Sequence, residues 1–487
     1  MMNRDISYLL ADPAKPCLLA DQRLHVRDGR IEDVTSEAPQ GARSGLIALP
    51  AFANAHDHGR GYPSLSVSVA DGPLEIWMAR LGLEPRTIAY LGAACAFTRM
   101  AEAGIGATVH CHNTQNGQAL LEEGTGVARA ATDVGLRVAF ALPFAGENPF
   151  VYGDNSELSA LMQDPENRKR PEAPRYRRSL NEGMRIFEAL KSLENDNFTL
   201  QFGPVGPQWT NYETLTAIAD RSAEQGRRVH MHLLETRIQR EWADRHYPDG
   251  IINYFDDIGL LSDRLTLAHC VWLRDAELAL LQERRVSIAC NISSNMRLSS
   301  GLPAIGKFLR SGINIGIGLD GMSLEDDDDI LRESRLFAGM AQAMMPGVDG
   351  IADRGDTQAT TLQALMQGGR RIVTGEGQGT LLPGDVADFV LLDTTRLLRH
   401  TPDPMSVDLL LARATAGDVR TLVIGGRSIV ENGHCITVVR QDVERELTAT
   451  AKFIARKAGI EVDTGLHDWQ EGVRRFYRNG GHTRTPG

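Results

Sequence analysis

Residues 45–59 read Gly-Leu-Ile-Ala-Leu-Pro-Ala-Phe-Ala-Asn-Ala-His-Asp-His-Gly. The apolar part reads as a β-strand that delivers His56 and His58 at its end. Side chains alternate faces along a strand, so the two imidazoles point the same way. Neighbouring neutral imidazoles can chelate one divalent cation, and such an ion makes water nucleophilic near neutral pH. The rest of the chain should then supply further ligands and a group that moves protons.

Beyond this strand, apolar strand-like runs alternate with helix-like ones, as a parallel α/β architecture requires. The runs cover residues 45–56, 105–113, 136–144, 198–207, 227–235, 265–270, 286–293 and 313–320. Eight such units are the count of a closed (β/α)8 barrel of TIM type. The chain ends differ in texture. An Asp28-Gly29 step between alternating runs signals a hairpin, and residues 379–393 and 419–434 read as short strands joined by Gly and Asn turns. The expectation is an α/β fold with a catalytic barrel over 51–375. Residues 1–50 and 376–440 form a small β-sandwich domain, and 441–487 a C-terminal helical extension. The polar connection 153–180 suits a lid or a dimer arm.

The composition narrows the function. At 487 residues the chain accommodates a barrel and a smaller domain. A net charge of -11 argues against binding nucleic acid or an anionic membrane, and 6% aromatics against base-stacking platforms. The six cysteines form no C-x-x-C pair and read as reduced residues of a cytoplasmic protein. Residues 1–10 carry no signal-peptide pattern, and no apolar run reaches bilayer length.

Catalytic side chains of a barrel cluster where its strands end. His232 and Glu235 end the fifth run, His269 the sixth and Asp320 the eighth. The expected ligands are His56, His58, His232 and Asp320, and three imidazoles with one carboxylate suit a single Zn²⁺, with Fe²⁺ also fitting. Asp320 doubles as the base that takes the water's first proton. Glu235 carries a proton to the leaving amine, and His269 hydrogen-bonds the activated water or the developing oxyanion. His230, one step deeper on the fifth strand, reads as a residue packed beneath the ion. Of the second pair, His110 and His112, the latter reads as pocket-lining. Arg60 either neutralises an anionic substrate group or braces its loop. Gln208 and Trp209 end the fourth strand, where Trp209 could stack on a planar substrate, and Asn291 could bind a polar edge. Glu325 and the acidic run after it read as the opening of the next helix.

The motifs at residues 49–59, 230–236, 267–273, 291–301, 317–321 and 381–393 together resemble the amidohydrolase superfamily. The branch is that of the S-adenosylhomocysteine and methylthioadenosine deaminases, guanine-type deaminases and triazine hydrolases. The resemblance implies a metal-dependent hydrolase, often oligomeric, with a mononuclear site at His56, His58, His232 and Asp320. Glu235 matches the proton-shuttling glutamate, and His269 the histidine of the sixth strand. The fourth strand ends without a lysine, which argues against a binuclear site bridged by a carboxylated lysine. The implied reaction is hydrolytic deamination of an amino-substituted N-heterocycle of purine, pterin, pyrimidine or triazine type. The alternatives are displacement of halide or alkylamine from a triazine-like ring, opening of a cyclic amide, and a non-catalytic metal-binding relative. The partners expected are a small heterocyclic substrate and further copies of the chain. The loop after His58 carries no substrate signature, and the tail past His434 is longer than the resemblance explains.

Overall fold

The computed structural model describes residues 2–36, 44–172, 178–344, 354–376, 379–401, 404–458 and 465–484. Part of the 153–180 connection, residues 173–177, therefore lies outside the described residues.

Eight parallel strands run in sequence order: Phe52–Asp57, Ile105–Cys111, Arg137–Phe144, Phe198–Pro204, Val229–Leu233, Leu265–His269, Ser287–Cys290 and Asn314–Ile317. Each falls on one of the eight apolar runs of the sequence. Their residues are almost all buried, because helices cover the outside while the strands' own side chains fill the inside. The inner layer is built of small residues, among them Ala53, Ala55, Ala107, Ala139, Ala141, Ala268 and Ala289.

The eighth strand returns to the first. The Leu319 amide donates to Asn54 Oδ1 at 3.0 Å, and the Asp320 amide to the His56 carbonyl at 2.9 Å. Gly318 makes this approach possible, since a Cβ there would run into the Asn291 side-chain oxygen and stand 3.0 Å from His56. The fold is thus the (β/α)8 barrel that the eight runs imply.

The chain ends form a second sheet of eight strands, ordered His434–Cys435, Arg427–Glu431, Val419–Ile424, Phe389–Asp393, Leu46–Pro50, Met2–Leu10, Leu18–Arg27 and Arg30–Thr35. The expected sandwich is, in its hydrogen bonding, one continuous sheet. Asp28 and Gly29 both take positive φ, 50° and 76°, as a tight hairpin turn requires. The run at 45–56 turns out to serve both sheets. Leu46–Pro50 pairs with Met2–Leu10 and Phe389–Asp393, whereas Phe52–Asp57 opens the barrel. A buried ion cluster joins the two bodies: Asp388 takes Arg137 at 2.7 Å and Arg370 at 2.6 Å. Burial pushes the Asp388 carboxyl up, but the two guanidiniums outweigh it and hold the group below its ordinary range.

The tail is two helices, Arg440–Ala458 and Leu466–Arg478. The second packs on the helix Asn155–Leu161 through Val151, Leu158, Met162, Trp469, Val473 and Phe476. Among the described residues no helix is long and apolar enough to cross a membrane.

Candidate metal centre

The first barrel strand ends at Asp57, and His56 and His58 emerge there on either side of it. Asp57 itself turns away. Its carboxylate accepts from the amides of Gly59 at 2.7 Å and Gly321 at 3.1 Å and from Asn54 Nδ2 at 2.8 Å, which fixes the loop between the two histidines. His58 Nε2 and His56 Nε2 stand 3.0 Å and 3.2 Å from Asp320 Oδ1. The His232 ring centroid lies 4.7 Å from that of His56 and 5.5 Å from that of His58.

The tautomers follow from the outer hydrogen bonds. His58 Nδ1 donates to the Cys111 carbonyl at 2.8 Å, and His232 Nδ1 to the Val205 carbonyl at 2.8 Å. Both Nε2 atoms are therefore left with lone pairs directed into the site. His56 Nδ1 lies 2.8 Å from His230 Nε2, which places His230 beneath it, and His56 Nε2 is buried without a hydrogen-bond partner. A lone pair facing a carboxylate oxygen at 3.0 Å is repulsive unless a cation stands between them. Ligands about 2 Å from a tetrahedral ion lie roughly 3.3 Å apart, close to the spacings found here. His56, His58 and Asp320 thus fit a divalent ion in donor type and spacing, and His232, whose donor atom lies within 4.8 Å of one on His56, matches it in donor type and tautomer.

Electrostatics agree. Burial, reinforced by the His56 imidazole, pushes His232 down to about 4. Burial likewise lowers His56 and His58, although Asp320 opposes the shift. Neutral imidazoles are the form that binds metal. Burial pushes the Asp320 carboxyl up, but protons on the facing His56 and His58 Nε2 atoms hold it well below its ordinary range, and a cation between them would act in the same sense.

Two further groups face the same cavity. Glu235 is 3% exposed, and Ser300 Oγ donates to its Oε1 at 3.0 Å. Burial, with the charge of Asp320 beside it, pushes this carboxyl well above its usual range. His269 Nε2 lies 3.7 Å from Glu235 Oε2. Asn295 Nδ2 donates to His269 Nδ1 at 3.0 Å, so the ring's proton sits on Nε2. The backbone is strained here: Leu234, His269 and Asp320 all take positive φ, at 48°, 73° and 59°. Non-glycine residues adopt this region rarely, and such outliers concentrate at functional sites. Strand pairing sets His232 opposite Ala268 and Leu233 opposite His269, so the fifth and sixth strands end level with one another.

The cavity around this cluster has a volume of about 1060 Å³. Arg60, His112 and Trp209 line it, as does Glu75, which the sequence reading passed over. Thr236 Oγ donates to Glu75 Oε1 at 2.5 Å. The only local signal for Glu75 is an acid inside an apolar stretch of the loop after the first strand. Arg60 braces its loop, paired with Glu84 at 3.0 Å and donating to the Asp320 carbonyl at 3.2 Å. His112 is held between His110 Nε2 at 3.1 Å and Glu123 Oε2 at 2.9 Å.

Two expected substrate contacts need correction. Gln208 is buried and does not line the cavity, and Asn291 turns its amide toward His269 rather than to open space, 3.3 Å from Nδ1. The segment after the seventh strand serves the catalytic groups instead, with Ser294 Oγ donating to Asp320 Oδ2 at 2.6 Å. The acidic run is also structural. Asp326 binds Ser64 and Arg297, Asp328 pairs with Arg99, and only Asp329 caps the following helix.

A barrel carrying three imidazoles, a carboxylate facing them and a buried glutamate whose carboxyl is pushed up, all in one cavity, defines a metal-dependent hydrolase. Residues 47–429 match the amidohydrolase family, and the chain belongs to it. It is a hydrolase acting on carbon–nitrogen bonds. It is 27% identical over 410 residues to a 5-methylthioadenosine/S-adenosylhomocysteine deaminase of Moorella thermoacetica, covering 83% of this chain and 86% of the relative. A 5'-deoxyadenosine deaminase of Methanothermobacter thermautotrophicus is 26% identical over 452 residues, covering 88% and 93%. Among solved structures, a zinc-bound adenosine deaminase from Xanthomonas campestris superposes with a TM-score of 0.73 at 22% identity, covering 93% of this chain and 98% of that one. A zinc-bound atrazine chlorohydrolase from Arthrobacter aurescens gives 0.75 at 18%, covering 93% and 100%. At such identities these two likenesses speak for the fold.

Proposed function

We propose that the protein is a hydrolytic deaminase of an adenine-type nucleoside. The observation that carries this reading is the pairing of Glu235 with His269 beside Asp320 in a cavity that also holds the ligand cluster. The names of the relatives in Moorella and Methanothermobacter support the choice of an adenine nucleoside. The roles of the individual site residues are part of the proposal.

His56, His58, His232 and Asp320 would hold the ion, and the zinc-bound relative favours Zn²⁺. When bound, the ion supplies the positive charge that makes water nucleophilic near neutral pH. The chain's own groups do the rest. The Asp320 carboxylate takes the proton released as water adds to the ring carbon bearing the amine. Glu235 gives its proton to the adjacent ring nitrogen, and His269 donates from Nε2 to the oxygen that is added. The proton held by Asp320 passes to Glu235 and on to the amine, the carbon–nitrogen bond breaks with loss of ammonia, and the added hydroxyl returns its proton to Glu235 as the ring keeps the oxygen. Glu75, whose carboxylate already accepts from Thr236, offers its remaining lone pairs to sugar hydroxyls.

The test is an ammonia-release screen of adenosine, 5'-deoxyadenosine, guanine, pterin and triazine substrates on zinc-loaded protein, with products identified by mass. Replacement of NH₂ by OH on the adenine nucleosides is the expected outcome. Turnover confined to halide, alkylamine or cyclic-amide substrates overturns the reading.

A further inference from the structure

The cavity is large for a bare heterocycle, at the upper end of the roughly 300–1,000 Å³ typical of small-molecule sites. One wall comes from outside the barrel. The tail contributes Ala451, Ile454 and Ala455 from its first helix and Trp469 and Val473 from its second, and none of the five is charged. The rest of the lining is rich in charge, with Arg60, Glu84, Glu75 and the metal cluster.

This wall is built into the fold. Asp468, in the first turn of the second helix, accepts from the amides of Gln163 and Asp164 at 2.9 Å each and from Asn167 Nδ2 at 3.0 Å. Phe150 meets the Trp469 ring edge-on at 5.0 Å, and the Arg170 guanidinium lies 5.8 Å over its other side. At the far end His482 binds Glu241 at 2.9 Å, on the helix that follows the strand carrying His232. The Tyr152 amide donates to Tyr477 Oη at 3.2 Å, and the Tyr152 hydroxyl accepts from Gln239 at 3.2 Å. Gln239 Oε1 in turn accepts from the Glu235 amide at 2.7 Å. The tail is thereby connected to the segment that holds the proton-carrying carboxyl.

We infer that the C-terminal helix pair is a specificity element, and that Trp469, Val473 and Ile454 receive an uncharged apolar group carried by the substrate at its end remote from the reacting ring. The inference rests on the nucleoside reading and deepens it: the substituent at the sugar 5' position is apolar and larger than a methyl group. An apolar group on this wall gains burial, whereas a cationic one loses water and meets the Arg170 guanidinium that lies over Trp469.

The experiment compares 5'-S-butylthioadenosine with 5'-deoxyadenosine on the zinc-loaded full chain. Both KM from ammonia release and Kd from calorimetry are measured for the native protein, Trp469→Ala and Ile454→Ser. Ile454 is only half-buried, so its variant should fold even if removal of the indole disturbs the wall. The native protein is expected to prefer the butylthio nucleoside by about tenfold or more in both constants. Both variants should narrow that preference, with the loss falling on the butylthio compound and kcat for it nearly kept. Equal affinity of the native protein for the two nucleosides overturns the inference, as does an equal loss on both in the variants. Failure of both nucleosides to bind removes it together with the nucleoside reading. Binding with the expected preference but no ammonia overturns the deaminase reading alone and leaves the wall assignment standing.

Discussion

The Asp320 amide donates to the His56 carbonyl at 2.9 Å, so two expected ligands of one ion are joined through their backbones across the closing seam of the barrel. Their side chains meet at the same point, with His56 Nε2 3.2 Å from Asp320 Oδ1. Closing the barrel thus brings the two side chains to one point. Chelation should abolish turnover and lower the melting temperature, because an ion that binds only the folded chain stabilises it. His58→Ala should lose metal by elemental analysis and activity by at least about a thousandfold. Full activity in a metal-free sample would refute the site.

Glu235 contacts no ligand side chain within hydrogen-bonding distance, so Glu235→Gln should keep its metal. Turnover should fall by about 10²–10⁴-fold, the range of a lost proton-transfer group. Unchanged kcat with intact metal would remove Glu235 from the reaction.

Asn295 fixes the His269 tautomer from behind. Asn295→Ala should lower kcat more than it raises KM, because only the more distant Asn291 amide, 3.3 Å from Nδ1, then holds the tautomer. Asn295→Asp should cost more than the alanine variant, since a carboxylate at Nδ1 accepts from it and draws the proton away from Nε2. Equal kcat in the native protein and both variants, measured under substrate saturation, would show that the tautomer is irrelevant.

Glu333 gives a pH-dependent stability. Its carboxyl accepts from the Ser293 amide at 3.0 Å and from the Ser293 hydroxyl, and burial pushes it from 4.5 up to about 7. Between those values the folded chain keeps a proton that the unfolded chain has lost. Stability from this group is thus full below about pH 4.5 and declines as pH rises to 7, by on the order of 3 kcal/mol. Glu333→Gln removes the decline. Its melting temperature relative to the native protein should rise steadily from pH 5 to pH 8, and a constant difference would exclude the effect.

Much of the barrel was legible because its strands are buried on both faces and so appear as continuous apolar runs. Strand ends were legible too, and they placed His56, His58, His232, Glu235, His269 and Asp320 at one rim. What strand position cannot convey is the direction of a side chain once the backbone leaves the strand. Asn291 was expected to face the substrate and instead supports His269, because the chain turns into the helix Ile292–Arg297 at that point. The positive φ of His269 and Asp320 has no local signature, since neither residue is a glycine. The tail reads as helical from its sequence, but its place on the cavity, like that of Glu75, has no local signature because only long-range packing brings them there.

The sheet made from both chain ends sets an order of events during synthesis. Leu46–Pro50 needs Phe389–Asp393 as its antiparallel neighbour, a strand that leaves the ribosome only after every barrel unit has been made. Until then the amino-terminal strands present an open edge, and the first barrel strand, one residue further on, has no fixed anchor. The sheet can close only once Phe389–Asp393 has emerged, so truncations that remove this strand should be far more damaging than its distance from the catalytic rim suggests.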